Sequence, residues 1–330
     1  MEPYLMEQLT DAVISVGATR FGVSSAQLTP CYSSMNGVYE YEKSGTPCIL
    51  RFTPLAHRTV NLVRAEIAWL YDLARRGVPV SPPIPSILGH FVEVVPAGFS
   101  VTAFLKAPGQ SVTYPDCLHD HDLYYHWGQT LGQLHAASVS YELTLPAIRR
   151  NAWHENFYLR HVREFVPDYD DPVYSRLPDI IARLGRLPRQ RGVFGLIHGD
   201  VHVGNVQRDG ATITLFDFDE AQYGWFLDDI VTPMYYLLYV YGGQEGRALR
   251  QSQAQRFLGN FLPGYQEAFW FDDQWLINIP LFLQLREVIV YIGMCKNHPG
   301  LANLNQWGLD FMAEARLRME QGEPIVNLWS

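Results

Sequence analysis

The chain has 330 residues, of which 48% are hydrophobic, 13% aromatic and 18% charged. That balance excludes a disordered or fibrous protein and fits a well-buried globular enzyme of two unequal lobes, since single domains run about 100 to 200 residues. A formal net charge of −9 argues against a nucleic-acid partner, whose binding rests on Lys and Arg neutralising phosphates.

The first ten residues carry Glu2 and Glu7 and lack both a basic and an apolar leader region, so no signal peptide is predicted. Residues 5–21 are predicted as an opening helix. Residues 27–52 alternate apolar and polar side chains and are broken at Asn36-Gly37 and Ser44-Gly45, the pattern of strand, turn and strand. Val60, Val63, Ile67, Leu70 and Leu73 recur at helical spacing and Gly77 follows as a stop, so a helix is predicted over 59–77. Pro79, Pro82, Pro83 and Pro85 predict extended loop, because proline removes a backbone donor and restricts the residue before it. Strands are predicted over 88–95 and 99–105 with a turn at Pro96-Ala97-Gly98.

Beyond residue 105 the pattern turns helical, beginning with the stripe Leu123, Trp127, Leu131 and Leu134. One non-helical patch interrupts it over residues 193–218. No apolar run reaches the roughly 18 residues of a membrane helix, and Cys31, Cys48, Cys117 and Cys295 form no Cys-x-x-Cys pair. The expectation is a cytoplasmic protein with reduced cysteines and no membrane partner.

The patch carries the chemistry. His198-Gly199-Asp200-Val201-His202-Val203-Gly204-Asn205 has the H-x-D-x-x-x-x-N spacing of a kinase catalytic loop, and Asp217-Phe218-Asp219 follows one predicted hairpin later. Phosphoryl transfer asks a protein mainly to place charges. In this arrangement Asp200 would accept the proton of an attacking hydroxyl while Asn205 and Asp217 hold magnesium. The rival reading makes His198 and His202 zinc ligands on one helical face, but Gly199, Val201, Val203 and Gly204 disfavour a helix there. The histidines then serve as hydrogen-bonding groups that shape the loop.

The octad, the Asp217-Phe218-Asp219 segment and residues 224–230 resemble the aminoglycoside phosphotransferase and choline kinase superfamily, over about residues 29–307. The resemblance implies an α+β, bilobal, protein-kinase-like fold with a small N-terminal antiparallel sheet lobe and a larger, mainly helical C-terminal lobe. It divides the chain into a nucleotide-binding lobe, 1–103, and a catalytic and acceptor-binding lobe, 104–330. It implies Asp200 as base, Asn205 and Asp217 on magnesium, Asp219 on a second ion, and Asp229 as a buttress of the loop. In the small lobe it implies Arg51 against the α- and β-phosphates, paired by Glu66. Relatives commonly carry Lys at the Arg51 position, so the arginine is a departure with a different reach. The loop from Ser33 to Tyr39, including Asn36, would cover the phosphates, and Thr102 to Leu105, with Ala103 and Leu105, would meet the nucleobase. The cofactors implied are ATP, with GTP as the alternative, and Mg2+.

The acceptor is expected against Tyr235, Tyr236, Tyr239, Trp270, Asp272, Asp273, Trp275 and Tyr291, aromatic faces and carboxylates suited to a cationic amine. Core packing with a solvated acidic rim explains any one of them as well. Local motifs place the chain nearest to stress-response serine/threonine kinases and spore-coat-associated relatives. The expected acceptor is a hydroxyl of a small molecule or a protein Ser/Thr. A nucleotide-binding pseudokinase that scaffolds partners is the alternative from another class, and a metal-dependent hydrolase would need further ligands around His198 and His202.

Overall fold

The computed structural model describes residues 3–31, 35–142 and 148–328. Two compact units emerge: Met1–Gly109 with Tyr141–Arg150 and Thr214–Asp219, and Gln110–Ser140 with Asn151–Ile213 and Glu220–Ser330.

The first unit opens with two helices where the sequence predicts one, α1 (Pro3–Gln8) and α2 (Asp11–Arg20). Thr10 separates them: its backbone is extended (φ −72°, ψ 162°) and its Oγ1 accepts the Val13 N–H at 3.4 Å, capping α2. Strands β1 (Thr29–Cys31), β2 (Gly37–Lys43) and β3 (Thr46–Pro54) follow, then α3 (Val60–Arg75), capped by Thr59. Ser44 and Gly45, both with positive φ, make the tight hairpin between β2 and β3. The sheet is completed by β4 (Pro83–Ile84), β5 (Glu93–Val95) and β6 (Phe99–Leu105) in the order β1-β2-β3-β6-β4, with β5 also on β6.

Two expectations change here. The proline run, predicted as loop throughout, contributes β4, where Pro83 pairs Phe104 and Ile84 pairs Ala103; a two-residue edge strand tolerates proline's missing donor. The strand expected over 88–95 shortens to β5, because Ser86 and His90 close a turn before it (N···O 2.8 Å). Residue 103, the expected lobe boundary, lies inside β6. Leu50, Phe52, Phe99, Val101 and Ala103 pack against Val13, Ala18 and Phe21 in one core. Each large side chain so buried stabilises by roughly 1.5–3 kcal/mol. The stripe Val63, Ile67, Leu70 and Leu73 of α3 is buried as its spacing predicts.

In the second unit, β7 (Gln110–Ser111) precedes α4 (His121–Val139), whose cap Asp120 accepts the Leu123 N–H at 2.9 Å. Then come α5 (Phe157–Arg160), α6 (Val162–Phe165), α7 (Val173–Leu184), β8 (Phe194–Ile197) and β9 (Val206–Asp209), and β10 (Thr212–Leu215), whose last two residues belong to the first unit. The chain continues through β11 (Gln222–Trp225), α8 (Phe226–Leu238), α9 (Gly243–Ala268), α10 (Ile279–Asn297) and α11 (Gln306–Gln321). The non-helical patch is thus larger than the sequence suggests. β11 pairs antiparallel with β8 and β7 with β9, strands of four and two residues too short to leave a periodic signal.

Helices α4 and α9 touch backbone to backbone. A Cβ on Gly128 would land on Phe261 O, and one on Gly264 would land on Tyr125 O, so only glycine permits this approach. The stretch Asp273–Asn297 holds an 18-residue window of mean hydropathy 1.4, long and apolar enough to cross a membrane by composition, where the sequence reading found no such run. Of that window 67% is buried within the protein, and α10 carries the buried Arg286 and Glu287 there. It is a core helix.

Candidate active site

In the second unit the loop that begins at His198 is fastened from below by Asp229, in the first turn of α8. Its Oδ2 accepts the His198 N–H at 2.6 Å and its Oδ1 the Gly199 N–H at 2.8 Å. Behind it, His135 Nε2 lies 3.3 Å from Asp229 Oδ2 and His135 Nδ1 2.6 Å from the Tyr265 hydroxyl. Because the carboxylate only accepts, Nε2 carries the proton and Nδ1 receives the tyrosine's. Burial alone would push the Asp229 carboxyl up, but the His135 hydrogen bond, His198 and the Gly199 N–H together hold it below the ordinary range. Gly199 has φ +80°, and a Cβ there would strike Glu220 O; no other residue fits this turn.

Asp200 stands on that turn. Its Oδ2 faces His202 Nε2 at 3.4 Å, and His202 Nδ1 accepts the Gly204 N–H at 2.9 Å, which leaves Nε2 as the donor. Asn205 Nδ2 donates to Asp200 O at 2.9 Å and lies 3.4 Å from its Oδ2. Arg286 of α10 donates to Gly199 O at 2.8 Å and places its Nη1 3.7 Å from Asp200 Oδ1. Burial raises the Asp200 carboxyl, but His202, Arg286 and His198 outweigh it and hold it at about 2. The other arm of Arg286 meets Asp228 Oδ1 at 3.4 Å. Burial nevertheless pushes the Asp228 carboxyl up to about 6, with Arg286 opposing and Asp229 adding to the rise. His198 and His202 thus shape the loop, as the sequence suggests.

Of the eight acceptor candidates, Tyr236 packs on this loop, with its ring 4.7 Å from the His202 ring. Tyr239 continues that wall, edge-on to Tyr236 at 5.4 Å and to Trp307 at 5.3 Å. Tyr235 is fully buried, and Tyr291 donates to Asp171 Oδ2 at 2.6 Å. Asp272 caps a 3-10 turn by accepting the Gln274 N–H, and Asp273 accepts from Gln266. Trp275 sits in that turn, and Trp270 is 79% exposed. These six serve packing, capping or surface roles.

In the first unit, Arg51 lies in the middle of the sheet, registered between Val38 and Thr102. Its Nη2 donates to Glu66 Oε2 at 2.9 Å and its Nη1 lies 3.6 Å from Asp217 Oδ1. The expected pair is present and buried, so Arg51 is no solvated edge charge. Asp217 has φ 61°, the left-handed region that a non-glycine residue enters only when its surroundings hold it there, and its side chain is 43% exposed. The next ring, Phe218, packs edge-on to Trp69 of α3 at 5.4 Å.

Asp219 does not suit the second-ion role that the resemblance implies. It is buried, with Oδ1 3.3 Å from Arg58 Nε. Burial raises its carboxyl, but Arg58, Arg51, Arg150 and His57 outweigh that and hold it low. So much positive charge answers the carboxylate and repels a cation. Asn36 is buried just ahead of β2, while Ser33 and Ser34 lie outside the described residues. Ala103 is fully buried and paired with Leu50 on one side and Ile84 on the other. The Leu105 N–H donates to Pro82 O and the Lys106 N–H to Pro47 O, both at 3.0 Å. These two amides are therefore engaged within the unit, and a base meeting this stretch would use other groups.

Arg286, His135, Tyr265, Arg58 and Arg150 escaped the sequence reading, since each lies far along the chain from the loop it serves. Arg286-Glu287 inside the apolar run 279–292 was the one available signal, because charges buried in such a run must be paired. Glu287 is paired with Arg318 at 2.6 Å.

Residues 35–270 match the phosphotransferase enzyme family, APH, and the chain belongs to it. Amicoumacin kinase of Bacillus subtilis strain 168 is 34% identical over 321 residues, covering 96% of this chain and 94% of that one. The solved structure of amicoumacin kinase hAmiN in complex with AMP-PNP, Ca2+ and Ami has a TM-score of 0.90 and 28% identity, covering 99% of this chain and 98% of that one. A microcompartment-associated aminopropanol kinase has the same fold, with a TM-score of 0.71, 21% identity and coverage of 95% and 98%. The α+β kinase-like fold and the phosphotransferase class stand. The placing beside stress-response and spore-coat relatives, drawn from local motifs, has no support in these matches.

Proposed function

We propose that this protein transfers the γ-phosphoryl group of ATP to a hydroxyl of an amine-bearing small molecule. Asp200 is the residue that orients the hydroxyl and takes its proton. The observation that carries this reading is the Asp200 carboxylate, raised on an anchored turn with His202 and Asn205 beside one oxygen and Arg286 beside the other. A carboxylate held this low is a weak base. Its contribution is to hold the hydroxyl in line and receive the proton as the new P–O bond forms.

Each unit carries a donor of the kind magnesium prefers: in the first, the part-exposed Asp217 carboxylate, and in the second, the Asn205 amide, whose nitrogen is engaged on Asp200. When bound there, the ion would offset negative charge on the phosphates. Arg51, fixed by Glu66, supplies a guanidinium to the phosphates in place of the usual lysine. Tyr236 and Tyr239 give an aromatic face to a cationic amine. The likeness to amicoumacin kinase makes amicoumacin the first acceptor to try.

The test is transfer of radiolabelled γ-phosphate from Mg-ATP and Mg-GTP to amicoumacin, amino alcohols, aminoglycosides and a generic protein substrate, with Asp200→Asn as control. Label on a small molecule, falling roughly 100- to 10,000-fold in the mutant, is the expected result. Label on protein alone would overturn the acceptor class, and an unaffected mutant would remove Asp200 from its role. Tight nucleotide binding with no transfer to any acceptor would move the reading to a pseudokinase.

A further inference from the structure

Arg150, in the short stretch that follows α4 and belongs to the first unit, is buried and forked between two backbone carbonyls. Its Nη1 donates to Leu62 O, in the first turn of α3, at 2.9 Å, and its Nη2 donates to Asp219 O. The same Asp219 carbonyl accepts Arg58 Nε at 3.3 Å. Helix α3 also carries Glu66, which holds Arg51, whose other arm reaches Asp217. Trp69 of α3 backs Phe218. A closed ring therefore runs from Asp217 through Arg51, Glu66, α3, Leu62, Arg150 and Asp219 back to Asp217.

We infer that Arg150 is a positioning residue that fixes the left-handed Asp217 in register with helix α3, so that Asp217 and Arg51 meet one nucleotide as a single rigid group. The inference rests on the reading of Asp217 as the magnesium-holding residue. A left-handed aspartate is costly and persists only when it is over-determined. Phe218 against Trp69 fixes the segment on one side, and the two guanidinium bonds to Asp219 O fix it on the other. A planar fork suits this task because it spans two carbonyls at once, which a lysine ammonium on a flexible stem does less well.

The experiment measures magnesium-dependent binding of AMP-PNP by calorimetry, and phosphoryl transfer to amicoumacin against magnesium concentration, for wild type, Arg150→Ala, Arg150→Lys and Asp217→Ala, with folding checked by melting temperature. Arg150→Ala should raise the magnesium needed for half-maximal rate and lower kcat, each by roughly 10- to 100-fold, the usual cost of losing an outer support of a metal site. The acceptor KM should stay within about twofold, and millimolar guanidinium should restore part of the rate. Arg150→Lys should fall between the two proteins and stands in for the alanine variant should that one not fold. An Arg150 variant that folds and keeps the wild-type magnesium dependence, while Asp217→Ala loses it, would overturn the inference alone. Should Asp217→Ala keep it as well, the reading of Asp217 fails and the inference falls with it.

Discussion

Arg51 and Glu66 meet at 2.8 Å inside the first unit, with neither side chain more than 5% exposed. Such a pair is a weak source of net stability, because desolvating two charges cancels most of their attraction, yet breaking it strands one buried charge. Glu66→Ala should therefore destabilise by about 3–5 kcal/mol in urea denaturation. The double replacement Arg51→Met with Glu66→Leu should recover most of that loss while nucleotide affinity disappears. A single mutant that costs under about 1 kcal/mol would mean that water already screens the pair.

Asp229 serves two backbone donors at once, His198 N and Gly199 N, and takes His135 as a third partner. Asp229→Asn keeps the shape but replaces one acceptor with a donor, so at least one buried N–H loses its partner. A cost of about 1–3 kcal/mol is expected. The same substitution should lower kcat more than it raises the nucleotide KM, since the residues it anchors present Asp200. Steady-state kinetics beside a denaturation curve would check this; equal changes in kcat and KM would detach Asp229 from the catalytic turn.

Asp228 gives the stability curve a slope opposite to that of most carboxylates. Its pKa rises from 3.8 to about 6 on folding, so between those values the folded protein keeps a proton that the unfolded chain has released. Stability from this group is full below the lower value and declines as pH rises toward the higher one. At about 1.36 kcal/mol per unit, the decline is at most about 3 kcal/mol. Denaturation of wild type and Asp228→Asn at pH 4, 5, 6, 7 and 8 should show wild type losing stability relative to the variant over pH 4–6 and the two curves running parallel from pH 7 to 8. Curves parallel throughout would show that Arg286 keeps Asp228 ionised in the fold.

What the sequence made legible was local. The octad from His198 to Asn205 is contiguous, Glu66 lies one helix beyond Arg51, and the stripe of α3 has a period, so each could be read without the fold. Thr10 split the first helix because a capping hydroxyl outweighs a continuing apolar pattern, and that contest has no periodic signature. β11 is four residues long and β7 two, below the length at which alternation can register. The loop's supports, Arg286, His135 and Tyr265, and Arg150 behind Asp219, come from distant parts of the chain, and only folding brings them together. The acceptor candidates were hard to separate in the sequence for a related reason: aromatic residues pack a core as readily as they receive a ligand, and six of the eight carry packing, capping or surface roles.

The contact of α4 with α9 has a consequence for mutational tolerance. Gly128 lies two turns of helix before His135, and Phe261 one turn before Tyr265. A single methyl group at position 128 would have to lever α9 away from α4. The Tyr265 hydroxyl would then leave His135, and the relay that steadies Asp229 would slacken without any change in the residues of the loop. Activity in this protein is therefore vulnerable at a position that touches no reactant.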